Sequence, residues 1–157
     1  GGEDPKFIAR RILIAASEDV GNANPTGLIM ANTCFDAVSK IGMPEAELIL
    51  SQTVVYLANS PKSNASYLAI KAARKFVREN PQQPVPLHLR NAPTNLMKDL
   101  DYGADYKYSH DFPNNFVQQE YLPERYSGKR FYTPGKNTRE QQFEELLRQR
   151  WKGHYNY

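Results

Sequence analysis

A single cysteine, Cys34, stands among the 157 residues, which excludes a disulfide within the chain and makes a reducing compartment the natural setting. No apolar run approaches the roughly 20 residues of a membrane-spanning helix, and no secretory leader is visible. Asn64-Ala65-Ser66 fits a glycosylation triplet, but nothing else points to secretion. Charge of one sign is scarce as well: the net +3 is too small to demand a polyanionic partner. Phosphate-binding loops are missing. Gly135-Lys136 is followed by Asn137 rather than Ser or Thr, Arg130 stands where the first glycine of that loop belongs, and no Gly-x-Gly-x-x-Gly occurs. His88, His110 and His154 lie far apart and lack cysteine partners at metal-binding spacing. The sequence therefore offers no catalytic, cofactor-binding or metal-binding residue, and an autonomous enzyme is the weakest reading.

What is present is ordinary for one globular domain: 40% hydrophobic and 24% charged residues. The basic character is concentrated at the end. From Arg125 onward eight Lys and Arg face three Asp and Glu, a balance of +5, whereas the rest carries 12 against 14, or −2. Such a tail suits nucleic acid, an acidic protein surface or simply a solvated helix face. The chain opens Gly1-Gly2-Glu3-Asp4-Pro5 without an initiator methionine and reads as an excised or processed piece of a larger protein.

The spacing predicts a mainly α-helical fold with at most a short β-hairpin. Residues 1–80 form a four-helix core, 81–136 an irregular extension with a short helix, and 137–157 a closing helix and tail, all in one domain. Asp4-Pro5 starts the first helix, which runs to about Val20 with Phe7, Ile8, Ile12, Ala15 and Ala16 inward, and Gly21 ends it. Asn24-Pro25 starts a second, to about Ile41, with Leu28, Ile29, Ala31, Phe35, Val38 and Ile41 inward and Cys34 beside that stripe. Pro44 opens a third, with Leu48, Ile49, Gln52, Val55 and Tyr56 at helical spacing. The fourth spans about Asn64 to Glu79, its Lys71, Arg74, Lys75 and Arg78 forming a basic face. Leu87-His88-Leu89 fits a short strand or a crossing with both leucines buried, and a brief helix covers about Pro93 to Leu100. Nine of the 18 aromatic residues fall between Tyr102 and Tyr132, and alternation at Tyr106-Lys107-Tyr108 and Phe116-Val117 suggests a hairpin across Pro113-Asn114-Asn115. Thr138-x-x-Gln141 reads as a capping box for the last helix, to about Lys152.

Several residues stand out as candidates for interaction. Glu18 and Asp19 sit at the negative pole of a helix, where pairing with a cation such as an Arg from another segment fits better than acid–base work. In the irregular segments, Ser63 or Asn64 caps the fourth helix, Asn91 caps the fifth and Arg90 satisfies helix-end carbonyls; the sharper alternative is that Lys62, His88 and Arg90 form a cationic contact for a partner. The tyrosines around Lys107, Tyr106 among them, suit packing or stacking on single-stranded bases. His110-Asp111 has the form of an oriented base but lacks a nucleophile, so a polar loop histidine is the plainer reading.

Read together, Gly2-Glu3-Asp4-Pro5-x-Phe7-Ile8-Ala9-Arg10-Arg11, Ala16-Ser17-Glu18-Asp19-Val20-Gly21-Asn22-Ala23, Pro61-Lys62-Ser63-Asn64, the stretch from Pro84 to Pro93, and Tyr106-Lys107-Tyr108 with His110-Asp111 make the chain resemble the C-terminal region of the RarA/MgsA family. These are AAA+ ATPases of the clamp-loader clade, bacterial relatives of the Werner-helicase-interacting protein. The resemblance implies a replication-fork maintenance, recombination and repair factor, cytoplasmic and nucleoid-associated, whose C-terminal helical domain builds a homotetramer. It implies ATP and Mg in an N-terminal ATPase domain missing from this sequence, and DNA and replication proteins such as single-strand-binding protein as partners. Glu18, Asp19, Lys62, Asn64, His88, Arg90, Asn91, Tyr106 and Lys107 carry over as signature positions without individual roles. A DNA-binding module using the basic tail, the basic face of the fourth helix and the exposed tyrosines is the alternative.

Overall fold

The computed structural model describes residues 1–157 as six α-helices joined by turns and irregular chain, without a β-strand: α1 Pro5–Ala15, α2 Thr26–Ile41, α3 Ala46–Ala58, α4 Ala65–Glu79, α5 Asn95–Asp99 and α6 Thr138–Trp151. The chain divides into two compact units. The first comprises Gly1–Ala72 with Phe131–Glu144, the second Ala73–Arg130 with Glu145–Tyr157, so the boundaries fall within α4 and α6.

In the first unit the expected start signals act locally. The Asp4 carboxylate accepts from the N–H groups of Lys6 and Phe7 at 2.6 and 3.2 Å, and Pro5 occupies the first helical position, where no N–H is needed. α1 then widens into a π turn over Ala16–Val20, a helical form often found at functional sites. Gly21 ends it at φ +50°. A Cβ there would lie 2.7 Å from the Ser63 carbonyl oxygen, so only glycine admits the approach of the segment before α4.

The core follows small residues rather than large ones. Ala9, Cys34, Val38 and Ala46 form one buried cluster, and Ala16, Val20, Ala31 and Leu57 another. Cys34 is 1% exposed, beside its stripe as expected. Gly27 lets α2 approach Leu57 closely, since a Cβ there would meet the leucine methyl at 2.9 Å. Close approach through Ala and Gly turns the bulkier neighbours aside. Phe7, Ile8, Leu28, Ile29 and Ile41, expected inward, are exposed, and α2 buries Ala31 and Val38 as expected, together with Gly27 and Cys34. In α3 the buried face is Ala46, Thr53 and Leu57, with Ile49 and Tyr56 partly buried, whereas Leu48, Gln52 and Val55 point outward.

In the second unit, Leu87–Leu89 is a single 3₁₀ turn rather than a strand or a buried crossing, and Leu87 is exposed. The expected hairpin is replaced by two short turns, Ser109–Asp111 and Pro113–Asn115. Asn114 and Asn115 take φ of 57° and 51°, a left-handed pair that breaks strand alternation. α5 is capped by Thr94, whose hydroxyl accepts from the Met97 N–H at 3.3 Å; Asn91, expected in that role, lies exposed. Aromatic edges supply much of the packing, with Phe76 against Tyr126 at 4.7 Å and Trp151 against Phe116 and Tyr155 at 5.3 and 4.6 Å.

Candidate functional site

Two of the singled-out segments meet in the first unit. The Ser63 N–H donates to the Asp19 carbonyl at 2.8 Å, Asn22 donates to the Ser66 hydroxyl at 3.0 Å, and Ala15, Asp19, Leu57, Lys62, Ser63 and Asn64 line one cleft. Neither Glu18 nor Asp19 forms the ion pair expected of it; Asp19 acts through its carbonyl. Lys62, rather than Arg90, serves a helix end, its ammonium donating at 2.6 Å to the Leu57 carbonyl in the last turn of α3. The Ser63 hydroxyl accepts from the Ala65 N–H at 3.3 Å, and Asn64 precedes α4 with its carbonyl accepting from Leu68.

Beside this turn lies a residue the sequence reading passed over. Glu140 is 0% exposed, and its carboxylate accepts from the Tyr132 hydroxyl at 2.7 Å and the Asn137 amide at 2.5 Å, with further hydrogen bonds from Ser63 and the Gly135 N–H. Burial pushes its pKa up, but these donors outweigh burial and hold it below the ordinary carboxylate value. The capping box of α6 is therefore Asn137-x-x-Glu140, one residue ahead of the expected Thr138-x-x-Gln141: the Asn137 side chain accepts from the Glu140 N–H at 3.0 Å. The Asn-x-x-Glu pattern was the available signal.

In the second unit, His88 donates through Nε2 to the Glu120 carbonyl at 2.9 Å. Arg90 donates to the Val85 carbonyl at 2.7 Å and the Tyr102 hydroxyl at 3.1 Å, with its guanidinium over the Tyr102 ring. Lys62 belongs to the first unit, where it is engaged at the end of α3, whereas His88 and Arg90 belong to the second, His88 engaged on the Glu120 carbonyl and Arg90 on Val85 and Tyr102. Tyr106 and Lys107 are exposed; the Lys107 N–H donates to the Gln119 side chain at 2.8 Å. His110 packs against the Tyr108 ring at 5.0 Å. The dominant polar cluster is again built on a carboxylate, this one without a sequence signal. Glu120 accepts from His154, the Tyr155 hydroxyl, the Gly128 N–H and the Ser127 hydroxyl at 3.0, 2.7, 2.9 and 3.0 Å. Burial raises its pKa, yet these donors lower it to about 2; burial and the Glu120 hydrogen bond raise that of Tyr155.

The remaining conspicuous feature is uncovered apolar surface in the first unit. α3 is apolar on both sides: Leu48 and Val55, one heptad apart on its outer face, are 73% and 59% exposed, and Ile29 on α2 is 66% exposed. A helix apolar all round is ordinarily buried all round.

The geometry thus defines an all-α domain in which the engaged polar residues hold the chain's own loops and helix ends. The family model described as MgsA AAA+ ATPase C terminal matches residues 1–151, and the chain belongs to that family. It is 49% identical over 135 residues to the replication-associated recombination protein A of Coxiella burnetii, covering 85% of this chain and 31% of that protein. The protein of the same name from Escherichia coli K12 is 48% identical over 134 residues, 85% of this chain and 30% of the relative. ATPase WRNIP1 of Dictyostelium discoideum is 43% identical over 132 residues, 83% of this chain and 15% of the relative. The chain thus spans at most about a third of these relatives. No helix is long and apolar enough to cross a membrane.

Proposed function

We propose that this chain is the oligomerisation domain of a AAA+ ATPase acting in replication-associated recombination, and that it assembles as a homotetramer. The supporting observation is surface area. The chain exposes 11052 Å². A compact monomer of 17.9 kDa exposes about 8,000 Å², and two separate compact bodies of half that mass about 9,700 Å². The surplus over even the second value, about 1,400 Å², exceeds the roughly 800 Å² that a standard interface takes from each partner. The outer face of α3, with Leu48 and Val55, is the part of that surface best suited to a second copy. The names of the bacterial relatives support the replication and recombination role. On this reading ATP and Mg²⁺ are handled by an ATPase core outside these residues. DNA and single-strand-binding protein are partners of the whole ATPase, which works in the cytoplasm at the nucleoid.

Light scattering on the purified chain tests the proposal. The expected mass is four times that of the chain, and Leu48→Asp with Val55→Asp is expected to give a monomer of unchanged helicity, because neither side chain belongs to the core of its own unit. A monomeric wild type at tens of micromolar refutes tetramer assembly. A tetramer that survives the double substitution removes α3 from the interface.

A further inference from the structure

The second unit holds a cleft of about 580 Å³ between the 3₁₀ turn at Leu87, the turn that follows α5 and the irregular segment 118–120. Three hydrogen bonds tie these walls together. The Gly103 N–H donates to the Leu87 carbonyl at 2.8 Å, His88 to the Glu120 carbonyl at 2.9 Å, and the Lys107 N–H to the Gln119 side-chain oxygen at 2.8 Å. Other polar groups of the lining are engaged elsewhere. The Gln118 amide donates to the Arg150 carbonyl at 2.8 Å, and the Glu120 carboxylate holds Ser127, Gly128, His154 and Tyr155. Gln119 is different. It is the most buried residue of the lining, 8% exposed, and its amide nitrogen is buried without a hydrogen-bond partner. The amide cannot turn over to find one, because that would set its NH₂ against the Lys107 N–H. A buried donor left in this way calls for an acceptor from outside the chain. On the rim, Asp101 and Asp105 are exposed, and neither carboxylate has an ion pair or a side-chain hydrogen bond. Lys107 is the one Lys or Arg of the lining, so acids outnumber it.

We infer that this cleft binds an extended polypeptide segment of a partner protein through one arginine, whose carbonyl accepts from the Gln119 amide while its guanidinium bridges Asp101 and Asp105. The site goes beyond the oligomerisation role and does not depend on it. Its floor needs an acceptor and its rim a cation, and an arginine residue brings both within one unit of chain. The five N–H groups of a guanidinium can serve two carboxylates at once. Other ligands meet half of the demand. A water satisfies the amide but leaves the rim uncompensated. A divalent ion would face the N–H of Gln119, and a polyamine carries no acceptor for it. Phosphates are repelled by the two aspartates. The volume lies in the range of sites that enclose a ligand of several residues' bulk, and the three cross-ties mean that the walls stand before the ligand arrives.

An NMR titration of the full chain with a capped Gly-Gly-Arg-Gly-Gly peptide tests the inference. Saturable shifts are expected at the Gln119 side-chain amide and at the backbone amides of 101–107. Asp101→Asn with Asp105→Asn is expected to weaken binding about tenfold, the sum of two exposed charge contacts. Asparagine accepts the left-handed backbone of both positions, φ 59° and 62°, so the double variant should fold, and circular dichroism checks it. A peptide with citrulline in place of arginine keeps the shape and the carbonyl but not the charge, and should lose as much on the wild type. Asp36→Asn, on α2 in the first unit, should bind as the wild type does. Four results overturn the proposal: no saturable shift, equal binding of the citrulline peptide, an equal loss in Asp36→Asn, or saturation of the rim amides while the Gln119 amide stays unmoved.

Discussion

The sharpest test of the fold is the removal of Glu140. Its carboxylate is wholly buried without a cation, held by Tyr132, Asn137, Ser63 and the Gly135 N–H. Truncation to alanine leaves the two hydroxyls free to rotate toward other acceptors. The Gly135 N–H and the Asn137 amide have no such freedom: Asn137 cannot flip, because its oxygen caps the Glu140 N–H at 3.0 Å. Two stranded N–H donors cost about 1–3 kcal/mol each, partly offset by no longer burying a charge, for a net loss of about 3 kcal/mol. In a domain of this size that lowers the melting temperature by about 10 °C. Glu140→Gln separates the causes. It preserves volume but points an NH₂ at existing donors, so it is expected to lose nearly as much as the alanine variant. Urea unfolding followed by circular dichroism measures both. A loss below about 1 kcal/mol in Glu140→Ala, or a Gln variant close to wild type, would show that the site is held by packing rather than by the acceptor. The pH dependence follows from the lowered pKa. The contribution is present above the ordinary value of 4.5 and is lost as pH falls through the lowered folded value, so wild-type stability should drop on acidification more than that of Glu140→Gln.

Two further predictions concern positions with equally definite geometry. Glu120, with a pKa of about 2, supports its tail above pH 4.5 and releases it as pH falls toward about 2; at neutral pH Glu120→Gln is expected to speed amide exchange at residues 152–157, and unchanged exchange would show that His154 and Tyr155 are held by ring packing alone. Gly21→Ala forces a side chain into a left-handed conformation 2.7 Å from the Ser63 carbonyl, and should destabilise the chain by about 2–3 kcal/mol in the same urea assay.

Local signals were the legible part of this chain. Asp4-Pro5, Gly21 and Gly42 acted as read because a cap or a positive φ is decided within one turn of helix. Asn91 failed as a cap because it lies several residues before α5, and Thr138 because it is already the first residue of α6; Thr94 and Asn137 immediately precede the two helices and supply the oxygen. The hairpin failed because Pro113 and two left-handed asparagines outweigh a few alternating aromatics. The two carboxylate clusters were not legible as sites. Glu120 collects donors from Ser127, Gly128, His154 and Tyr155, and Glu140 reaches back to Ser63, pairings that depend on tertiary approach rather than on spacing. The signature residues were legible as a fingerprint of the family, and much of what they do is to join loops: Asp19 holds Ser63, Lys62 holds the end of α3, His88 holds the Glu120 segment, and Arg90 holds Val85 and Tyr102.

The inverted face of α3 follows from the same distinction between spacing and surroundings. Periodicity identifies residues that alternate between two environments, but it does not say whether the apolar environment is the chain's own core or another molecule. Leu48, Gln52 and Val55 keep helical spacing on one strip, while Ala46, Thr53 and Leu57 keep it on the opposite strip. The small residues Ala46 and Thr53 allow the close packing onto the neighbouring helices, which fixes that strip as the inner one. The bulkier strip is left outside, where full burial of each Leu or Val is worth about 1.5–3 kcal/mol. If copies of the chain cover that strip, as proposed, assembly and folding are linked by mass action, and the melting temperature rises with protein concentration. In Leu48→Asp with Val55→Asp that concentration dependence should vanish while the low-concentration melting temperature stays within a few degrees of wild type. A concentration-independent wild-type melt would refute assembly linked to folding, and a double variant that keeps the wild-type dependence would mean that the outer strip of α3 contributes nothing to it.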